Sequence, residues 1–536
     1  QVMGGVLATG MDFGPDGAMY FADWIDGWTP KEEGRIWKLD APSGSDWSER
    51  KQTQELLAAD FTEKDDGALG GLLKNPDMRV RQKAQFELAK RGDDGAEVFQ
   101  QMLSQTENQL ARVHSIWGIS QLARQDSAYA EKLLPLLEDS DPEIRAQAAK
   151  WLGDIRYAAA AETLVPMLAD EYDRTRFFAA EALGRIAYEP AVEPLIDLLE
   201  ANNDEDAYIR HAASLALARI GKSEPVVVLA DHPSQAVRIG AVVALRRMEE
   251  PGVAKFLNDE DEYIVTEAAR AINDDFSIET ALPALGNVLQ QNRFSNEALV
   301  RRAINANLRV GSDEALQNLL DYAMNQQNPE ELRAEAIAAL GTWAEPSVLD
   351  RVDGRYRGEV KRDPAKIQDK SMQPLIRLAS QGSPEIRLEA VQAIGRLGFS
   401  DGILTLMARL NSDQDAAVRA EALKALATLE YDQIGKAIEV SLTDAEKSVR
   451  VVGLDLLTKM DISEDLMVEL LSNVIESQSR TAEEQQVAMA TLGTLPVKET
   501  KETFNKLLTQ LEKGTFPPEI LIELTEGVEA HALFNA

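Results

Sequence analysis

The fold is decided by Ser140-Asp141-Pro142-Glu143-Ile144-Arg145-Ala146-Gln147-Ala148-Ala149-Lys150-Trp151-Leu152-Gly153, because altered copies of this stretch recur about every 30 residues. Clear copies are Ser383-Pro384-Glu385-Ile386-Arg387, Asp415-Ala416-Ala417-Val418-Arg419 and Lys447-Ser448-Val449-Arg450. Looser copies centre on Arg81, Arg112, Arg176, Arg210, Arg238, Arg302, Arg333 and Gln486. About a dozen units result, which is more than the three or so that stacked repeats need to bury a continuous core.

Each copy carries the signals of a helix start. Asp141-Pro142-Glu143, Ser383-Pro384-Glu385 and Asn328-Pro329-Glu330 each supply an N-cap acceptor, a proline with a preset φ and a carboxylate near the positive end of the helix. Apolar residues then follow at spacings of three and four, so that they line one helix face. Glycines after several of these stretches predict helix C-termini, at Gly153, Gly184, Gly221, Gly341 and Gly395.

A first helix of each pair is predicted before the recurring stretch, as in residues 160–168, 192–199 and 372–378. The unit is therefore helix, short turn, helix. These lines resemble HEAT repeats of the short bacterial kind over roughly residues 66 to 530. The resemblance implies an all-α, right-handed α-solenoid, a fold that does not by itself define any chemistry.

Composition narrows the classes of partner. The chain is 44% hydrophobic and 27% charged, and it has no Cys. It lacks any run of about 18 apolar residues that could span a bilayer. Acidic residues number 90 against 56 basic ones, giving a net charge of −34. Such a charge repels phosphate backbones and anionic lipids, so we expect no nucleic acid among the partners. The short apolar runs predict no transmembrane segment, and we expect the partners to be proteins.

The first 45 or so residues differ from the repeats. They contain four of the seven Trp, at Trp24, Trp28, Trp37 and Trp47. Strands are predicted on both sides of the turn Gly14-Pro15-Asp16-Gly17, and Gly34-Arg35-Ile36-Trp37-Lys38-Leu39 predicts a third. This β element resembles the final blade of a six-bladed propeller of the glucose/sorbosone dehydrogenase type. The alternative is a β-hairpin that caps the first helical repeat.

Further segments resemble the HEAT-repeat region of bacterial membrane-bound-dehydrogenase-like proteins, which combine a dehydrogenase-like propeller, a HEAT array and a C-terminal cytochrome c domain. The matching segments are residues 110–118, 206–213, 267–274, 299–307 and 332–343 with 350–355. Ala530-His531-Ala532-Leu533-Phe534-Asn535 is similar to the opening of the haem domain in that family.

The resemblance implies a periplasmic or extracellular parent that oxidises a sugar or other alcohol with a quinone-type cofactor (PQQ) and passes electrons to haem c. This chain would hold the propeller and the electron acceptor together. Without Cys it lacks the Cys-x-x-Cys-His attachment motif. Haem binding is therefore not assigned to this chain, and we also expect no catalytic residue, other cofactor or metal within it. Whether Asp12, Asp16, Tyr20 and Asp23 lie near a cofactor or hold a turn stays open, and the rival function is a stand-alone protein-binding scaffold with no redox role.

The expected organisation has six parts. They are a β element (1–45), a linker (46–65), a first block of repeats (66–345), a basic irregular insertion (346–372), a second block of repeats (373–530) and the start of a further linker (531–536).

Two sets of basic residues are candidate sites. The recurring arginines either form a ladder for an anionic partner or bind acidic and carbonyl acceptors of the adjacent repeat; they are Arg145, Arg176, Arg210, Arg238, Arg333, Arg387, Arg419 and Arg450. The basic insertion is expected to be a docking loop against an acidic neighbour or a join between two helical blocks, and the two roles do not exclude each other. Its candidate docking residues are Arg351, Arg355, Arg357, Lys361 and Arg362.

Other motifs favour structural roles. None of the four His (His114, His211, His232 and His531) precedes Glu, which argues against the iron-binding His-Glu pairs of HEAT-repeat hydroxylases and against a lyase or hydroxylase acting alone. Gly221-Lys222-Ser223 lacks the earlier Gly and the strand of a phosphate-binding loop. The acidic stretches 202–206 and 258–262 lack the Gly and the closing Glu of an EF-hand and are expected to be turns.

Overall fold

The structure, a computed structural model, describes residues 6–25, 29, 32–41 and 47–533. Trp28, residues 42–46, Phe534 and Asn535 lie outside the described residues, so the proposed opening of a haem domain is described only in part. The chain divides into two compact units, Gln1–Met248 and Glu249–Ala536. The insertion at 346–372 therefore falls inside the second unit.

The N-terminal β element is an antiparallel sheet in the order β1 (Ala8–Phe13), β2 (Met19–Asp23), β3 (Arg35–Leu39). Met11 pairs with Phe21, and Phe21 pairs with Trp37, so these three side chains share one face. The sheet is tied to the first helices, since Arg79 Nη1 donates to the carbonyls of Phe13 and Gly14 at 2.9 and 2.8 Å.

The rest of the first unit is helical. Its α-helices are α1 (Ser48–Ala58), α2 (Asp66–Leu72), α3 (Met78–Lys90), α4 (Asp93–Leu103), α5 (Gln109–Ala123), α6 (Pro142–Asp154), α7 (Ala161–Leu164), α8 (Asp173–Ile186), α9 (Val192–Asn202), α10 (Ala207–Ile220), α11 (Glu224–Val227) and α12 (Gln235–Met248). Short 3-10 helices complete several first helices, at Ser127–Glu138, Ala158–Ala160, Pro166–Ala169, Glu189–Ala191 and Val228–Asp231. Helix α1 occupies much of the stretch expected to be a linker.

The second unit continues the same pattern. Its α-helices are α13 (Glu262–Asn273), α14 (Leu282–Gly286), α15 (Val288–Gln291), α16 (Glu297–Val310), α17 (Asp313–Met324), α18 (Glu330–Gly341), α19 (Ala365–Gln381), α20 (Pro384–Arg396), α21 (Ile403–Ser412), α22 (Ala416–Thr428), α23 (Ile434–Leu442), α24 (Lys447–Leu457), α25 (Glu464–Glu476), α26 (Ala482–Leu492), α27 (Val497–Glu512) and α28 (Leu521–Leu533). Its 3-10 helices are Pro251–Asn258, Glu279–Ala281, Ser400–Gly402 and Pro518–Ile520.

The helices form stacked hairpins, which confirms the predicted all-α HEAT-repeat fold with a short N-terminal sheet. Within a repeat the two helices pack together, as α21 packs on α22 and α23 on α24. Between repeats the second helices stack in turn, α6 on α8, α8 on α10, α20 on α22 and α22 on α24. Their Ala, Leu, Ile and Val side chains are buried between them, which is the main stabilising contribution.

The predicted helix starts differ in how they are capped. The Asp141 side chain accepts from the backbone N–H of Glu143 at 2.9 Å, as predicted. Ser383 is at the N-cap of α20, but its hydroxyl donates to Glu330 and makes no cap hydrogen bond. Asn328 is not the N-cap of α18; Pro329 holds that position, and the Asn328 amide donates to the Tyr322 carbonyl.

Four of the glycines predicted to be helix C-termini act in helix packing instead. A Cβ on Gly153 would lie 2.6 Å from the Cα of Ala182, and one on Gly184 would lie 2.6 Å from the Cα of Ala216. Gly341 and Gly395 meet Ala393 and Ala425 of the following repeat in the same way, whereas Gly221 is a true C-cap, with a φ of 75°. These glycines allow the backbones of successive second helices to approach closely.

Candidate functional site

Four of the recurring arginines clamp successive repeats together. Arg145 holds Asp170 through two hydrogen bonds of 2.8 and 3.0 Å, and Arg419 holds Asp444 at 2.7 and 2.8 Å. Arg387 binds Asp413 and Arg450 binds Glu484 in the same two-pronged way. Each of these guanidinium groups also donates to a carbonyl just before its own helix, for example Arg419 to Asp413 at 2.7 Å. We call these four contacts the inter-repeat clamps.

The other four recurring arginines bind acceptors near their own helix. Arg176 donates to the Asp170 carbonyl at 2.7 Å and to Asp173, and Arg210 binds Asp204 at 2.5 Å. Arg238 donates to the His232 carbonyl at 2.9 Å, and Arg333 donates to the Ala323 carbonyl at 2.9 Å. All eight arginines thus bind acceptors within the chain. Four of them bind the adjacent repeat, as in the structural role considered from the sequence, and the other four bind acceptors of their own repeat.

The insertion folds back as a compact hairpin. Leu349 and Tyr356 form an antiparallel bridge, and the Asp350 N–H donates to the Arg355 carbonyl at 2.8 Å. Beside the insertion, α18 packs directly on α20, so the stack of second helices continues across it. The insertion is therefore a side loop of a continuous stack within the second unit. This differs from the expected join between two blocks.

The candidate docking residues are mostly occupied within the chain. Arg351 binds Glu335 at 2.9 Å, and Arg355 binds Asp275 at 3.0 Å. Arg362 donates to the carbonyls of Trp343 and Leu308 at 2.7 and 2.6 Å and lies over the Trp343 ring. Arg357 is bound to the residues described next. Lys361 differs, because it is 75% exposed and its ion-pair partner Glu345, at 3.5 Å, is exposed to a similar extent.

Four polar side chains meet beneath this hairpin, and we call them the insertion cluster: Asn273, Asn305, Asp350 and Arg357. The Asn305 amide donates to Asn273 Oδ1 and to Asp350 Oδ2, both at 2.9 Å. Arg357 donates to Asp350 Oδ2 at 3.2 Å and to the Asn273 carbonyl at 2.9 Å. The cluster links α13 and α16 to the hairpin by hydrogen bonds between buried groups.

Asp350 stays ionised in this cluster. Burial opposes ionisation, but the backbone N–H groups of Val352 and Asp353 and the Asn305 amide all donate to it, and together they hold its pKa below the ordinary value. Its Oδ1 accepts the two backbone N–H groups, and its Oδ2 accepts Asn305 and Arg357. Both oxygens therefore have two donors each.

A cavity of about 470 Å³, which we call the insertion pocket, lies next to the cluster and is partly open to solvent. Four arginines line it (Arg309, Arg351, Arg357 and Arg362), together with two carboxylates (Glu279 and Asp350) and an apolar group that includes Leu282, Leu308 and Val360. Arg309 comes from α16 and has 13% of its side chain exposed. Burial, together with the charge of Arg357, lowers the pKa of Arg309 below its ordinary value.

Sequence reasoning missed Asn273, Asn305, Asp350 and Arg309. Three of the segments that resemble the dehydrogenase-like family contribute the first three, since Asn273 lies in 267–274, Asn305 in 299–307 and Asp350 in 350–355, whereas Arg309 lies outside them. The available signal was an Asn on a helix face where other repeats place Ala, Leu or Ile. A polar residue at such a position needs a hydrogen-bond partner when it is buried.

The acidic and aromatic residues of the β element hold the sheet together. Asp16 accepts from Lys38 at 2.6 Å and from the Tyr20 hydroxyl at 3.0 Å, and Lys38 lowers the pKa of Asp16 to about 2. Asp23 accepts the Trp37 indole N–H at 2.9 Å and the Leu7 N–H at 3.0 Å. Asp12 accepts the N–H of Phe13. These contacts are those of turn- and strand-holding residues.

The remaining motifs also have structural contacts. His114 is buried against Gln85, with 2.8 Å between His114 Nδ1 and Gln85 Oε1, and His211 is exposed. Lys222 binds Glu189 at 3.1 Å beside the C-cap of α10. In the acidic stretches, Asp206 and Asp261 are the N-caps of α10 and α13. Over the described ranges, no group of His and acidic side chains is placed to hold a metal ion, and no helix is long and apolar enough to cross a membrane.

A family model described as HEAT repeats matches residues 130–218 and 372–457, one stretch in each unit. These two stretches, which together make up less than half of the chain, are HEAT repeats within a helical-repeat scaffold. No curated protein matches it.

Solved structures with a similar arrangement of helices include an engineered protein, with 19% identity over 75% of this chain and 100% of that chain and a TM-score of 0.24. Yeast importin-beta (Kap95p) is 12% identical over 88% of this chain and 73% of that one, with a TM-score of 0.36. Kap121p bound to RanGTP is 13% identical over 92% of this chain and 55% of that one, with a TM-score of 0.45.

Proposed function

We propose that this chain is a protein-binding scaffold that works within a larger secreted, dehydrogenase-like protein, where it holds a propeller and a haem-carrying electron acceptor together. The quinone-type cofactor and haem c would belong to the neighbouring domains, because this chain has no Cys to attach haem. The parent would act in the periplasm or outside the cell. Its substrate would be a sugar or another alcohol, as the resemblance of the repeat segments implies.

The observation that carries this proposal is the exposed apolar surface of the N-terminal sheet. Met11 and Phe13 on one face are 70% and 58% exposed, and Ile36 on the other face is 78% exposed. Three strands bury too little surface to be stable alone, and exposed apolar groups on both faces favour contact with further protein. A neighbouring propeller blade would cover such a sheet.

The stand-alone scaffold is the second candidate function. It is favoured by the way the sheet is attached, since Arg79 and Arg50 already bind it to the first helices as they would a simple cap. Arg50 pairs with Asp40 at 2.8 Å, and its Nε also donates to the Asp16 carbonyl. In that case the surfaces of the repeats would bind partners and the chain would have no redox role.

Sequencing the gene on both sides of this segment separates the two candidates. Upstream propeller blades and a downstream Cys-x-x-Cys-His motif are expected for the dehydrogenase-like parent. A start codon next to Gln1 and a stop codon after Ala536 would overturn that proposal and leave the stand-alone scaffold.

Binding of the upstream domain, produced separately, then tests the role of the sheet. Met11→Ser with Phe13→Ser should weaken binding about tenfold or more, because central apolar contacts dominate protein interfaces. Ile522→Ser is the matched control, since Ile522 is 69% exposed on α28, far along the chain. Equal binding by all three proteins would contradict a contact through this face.

A further inference from the structure

Arg309 lacks an acceptor for one of its guanidinium nitrogens. Its Nη2 donates to the Ser277 hydroxyl at 3.1 Å and to Glu279 at 3.4 Å. Its Nη1 is buried and has no hydrogen-bond partner among the residues that the structure describes. Buried guanidinium groups are normally bonded at every nitrogen, so this atom is available to an acceptor from outside the chain.

The carboxylate beside it cannot fill this role. Asp350 Oδ2 lies 3.6 Å from Arg309 Nη1, beyond hydrogen-bond distance. That oxygen already accepts Asn305 and Arg357, and the other oxygen accepts two backbone N–H groups. Since the insertion cluster holds Asp350 in place, Arg309 cannot gain the missing bond without breaking an existing one.

More arginines than carboxylates line the insertion pocket, although the chain as a whole is strongly acidic. The lining has four arginines and two carboxylates, whereas the whole chain carries a net charge of −34. Two of these arginines are also paired with carboxylates outside the lining, Arg351 with Glu335 and Arg357 with Asp353. The lining therefore favours no more than one added negative charge. A doubly charged group is disfavoured, because Asp350 and Glu279 both face the same space.

Part of the pocket lining is apolar. Leu282, Leu308 and Val360 belong to it, and Arg362 ties the loop that carries Val360 to α16 by donating to the Leu308 carbonyl at 2.6 Å. A cavity of about 470 Å³ is within the range of small-molecule sites, which combine mostly apolar walls with a few polar groups.

We infer that the insertion pocket binds a small organic carboxylate, with its apolar body against Leu282, Leu308 and Val360 and one carboxylate oxygen accepting from Arg309 Nη1. This site is separate from the protein-binding role proposed above and does not depend on it. It assigns a binding function to the insertion, three of whose arginines (Arg351, Arg357 and Arg362) line the pocket.

Calorimetric titration of the full chain with phenylacetate at low ionic strength tests the inference. Phenylacetamide is the uncharged match of the probe and phenyl phosphate is the more highly charged one, and both should bind about tenfold more weakly or not at all. Saturable binding of phenylacetate is expected. The absence of such binding, or equal binding of the amide, would overturn the proposal.

Variants then locate the site. Arg309→Met keeps the apolar stem and removes the guanidinium, and it should weaken phenylacetate binding about tenfold or more. Arg301→Met is the matched control, because Arg301 lies on the same helix, is half exposed and binds only Glu297 among the described residues. Wild-type affinity in a folded Arg309→Met protein would overturn the assignment.

A second variant covers the case in which Arg309→Met does not fold. Val360→Trp leaves every arginine in place and fills the apolar end of the pocket from the loop, where Val360 is 36% exposed. It should abolish phenylacetate binding while the circular dichroism spectrum stays unchanged. Binding at wild-type strength would place the ligand elsewhere and contradict the proposal.

Discussion

The inter-repeat clamps and the insertion cluster both depend on arginine, but the residues that these arginines bind lie at very different distances along the sequence. Arg419 binds Asp444, which is 25 residues further on, and Arg145 binds Asp170 at the same spacing. Arg357 instead donates to the Asp275 carbonyl 82 residues earlier and to the Asn273 carbonyl 84 residues earlier. The clamps follow the period of the repeat, whereas the cluster departs from it.

This difference shows what each region does for the molecule. A clamp joins two neighbouring repeats through side chains that are largely buried, and the next clamp performs the same task one repeat further along. The insertion cluster is buried and has no second copy among the described residues, so each of its members is needed to satisfy the others. We therefore expect the cluster to be sensitive to single substitutions and the clamps to be more tolerant.

Asp350→Ala should cause the largest loss. It would leave one N–H of the Asn305 amide and two backbone N–H groups without an acceptor, and each buried donor that is left unsatisfied costs about 1–3 kcal/mol. Arg357 would lose its bond to Asp350 but keep its ion pair with Asp353 at 2.8 Å. Hydrogen exchange of the α16 amides measures this local stability. Asp369→Ala, an exposed carboxylate on α19, is the control for lost charge. Unchanged exchange in α16 would contradict the role of the cluster.

Arg419→Met should have a smaller effect. The variant loses two charged hydrogen bonds to Asp444 at a site where both side chains are about one-tenth exposed, and we expect a loss of about 1.5–3 kcal/mol. Urea unfolding followed by circular dichroism measures it. Arg145→Met should give a similar value in the first unit, because its clamp to Asp170 has the same geometry.

Arg396→Met serves as the control for both clamp variants, since Arg396 is exposed and its contact is with Gln392 on the same helix. It should leave the urea midpoint near that of the wild type. If Arg419→Met and Arg396→Met behaved alike, the clamps would be incidental surface pairs.

The helix starts and the recurring arginines could be predicted from the sequence because the same pattern occurs in many copies. The Asp141-Pro142-Glu143 start and the arginine at each copy were read from single stretches, and the structure places both in the repeats. The partners of the clamps were also predictable, since Asp170 and Asp444 each lie two residues before the N-cap residue of the next second helix, Tyr172 and Glu446. An acceptor at the same offset in successive repeats is a local signal.

The insertion cluster could not be predicted in this way. Its four members lie on two helices and a loop, separated by as many as 84 residues, and nothing in the repeat period brings them together. The glycines illustrate a second limit. Gly153 and Gly221 look alike in sequence, yet one packs against Ala182 and the other ends a helix, because the distinction depends on the neighbouring helix.

The buried pair of His114 and Gln85 should respond to pH differently from the charged clamps. Burial, with a contribution from Arg81, lowers the pKa of His114 from 6.5 to about 4 in the folded protein. The unfolded chain takes up a proton near 6.5 and the folded chain does not, so the stability of the first unit falls as the pH drops from 6.5 towards about 4. The slope should be about 1.4 kcal/mol per pH unit.

Urea unfolding at pH 7 and at about pH 5.5 measures this slope, and the wild type should lose about 1 kcal/mol between the two conditions. His114→Asn removes the titrating ring and should show little change over the same interval, because the clamp carboxylates titrate at lower pH. Burial opposes the ionisation of Glu484, for example, but hydrogen bonds from Arg450 and Thr481 lower its pKa to about 2. Equal slopes in the two proteins would contradict the low pKa of His114.

Lys361 should show the smallest effect on stability and the clearest effect on docking. It is 75% exposed and its 3.5 Å contact with Glu345 is equally exposed, so Lys361→Ala should leave the urea midpoint unchanged. It is the most exposed of the candidate docking residues, followed by Arg355, whose partner Asp275 is also nearly half exposed. If the insertion also docks an acidic partner, Lys361→Glu would weaken that binding without destabilising the chain, whereas Arg357→Glu would do both. Equal loss of binding in the two variants at matched stability would assign docking to the hairpin as a whole.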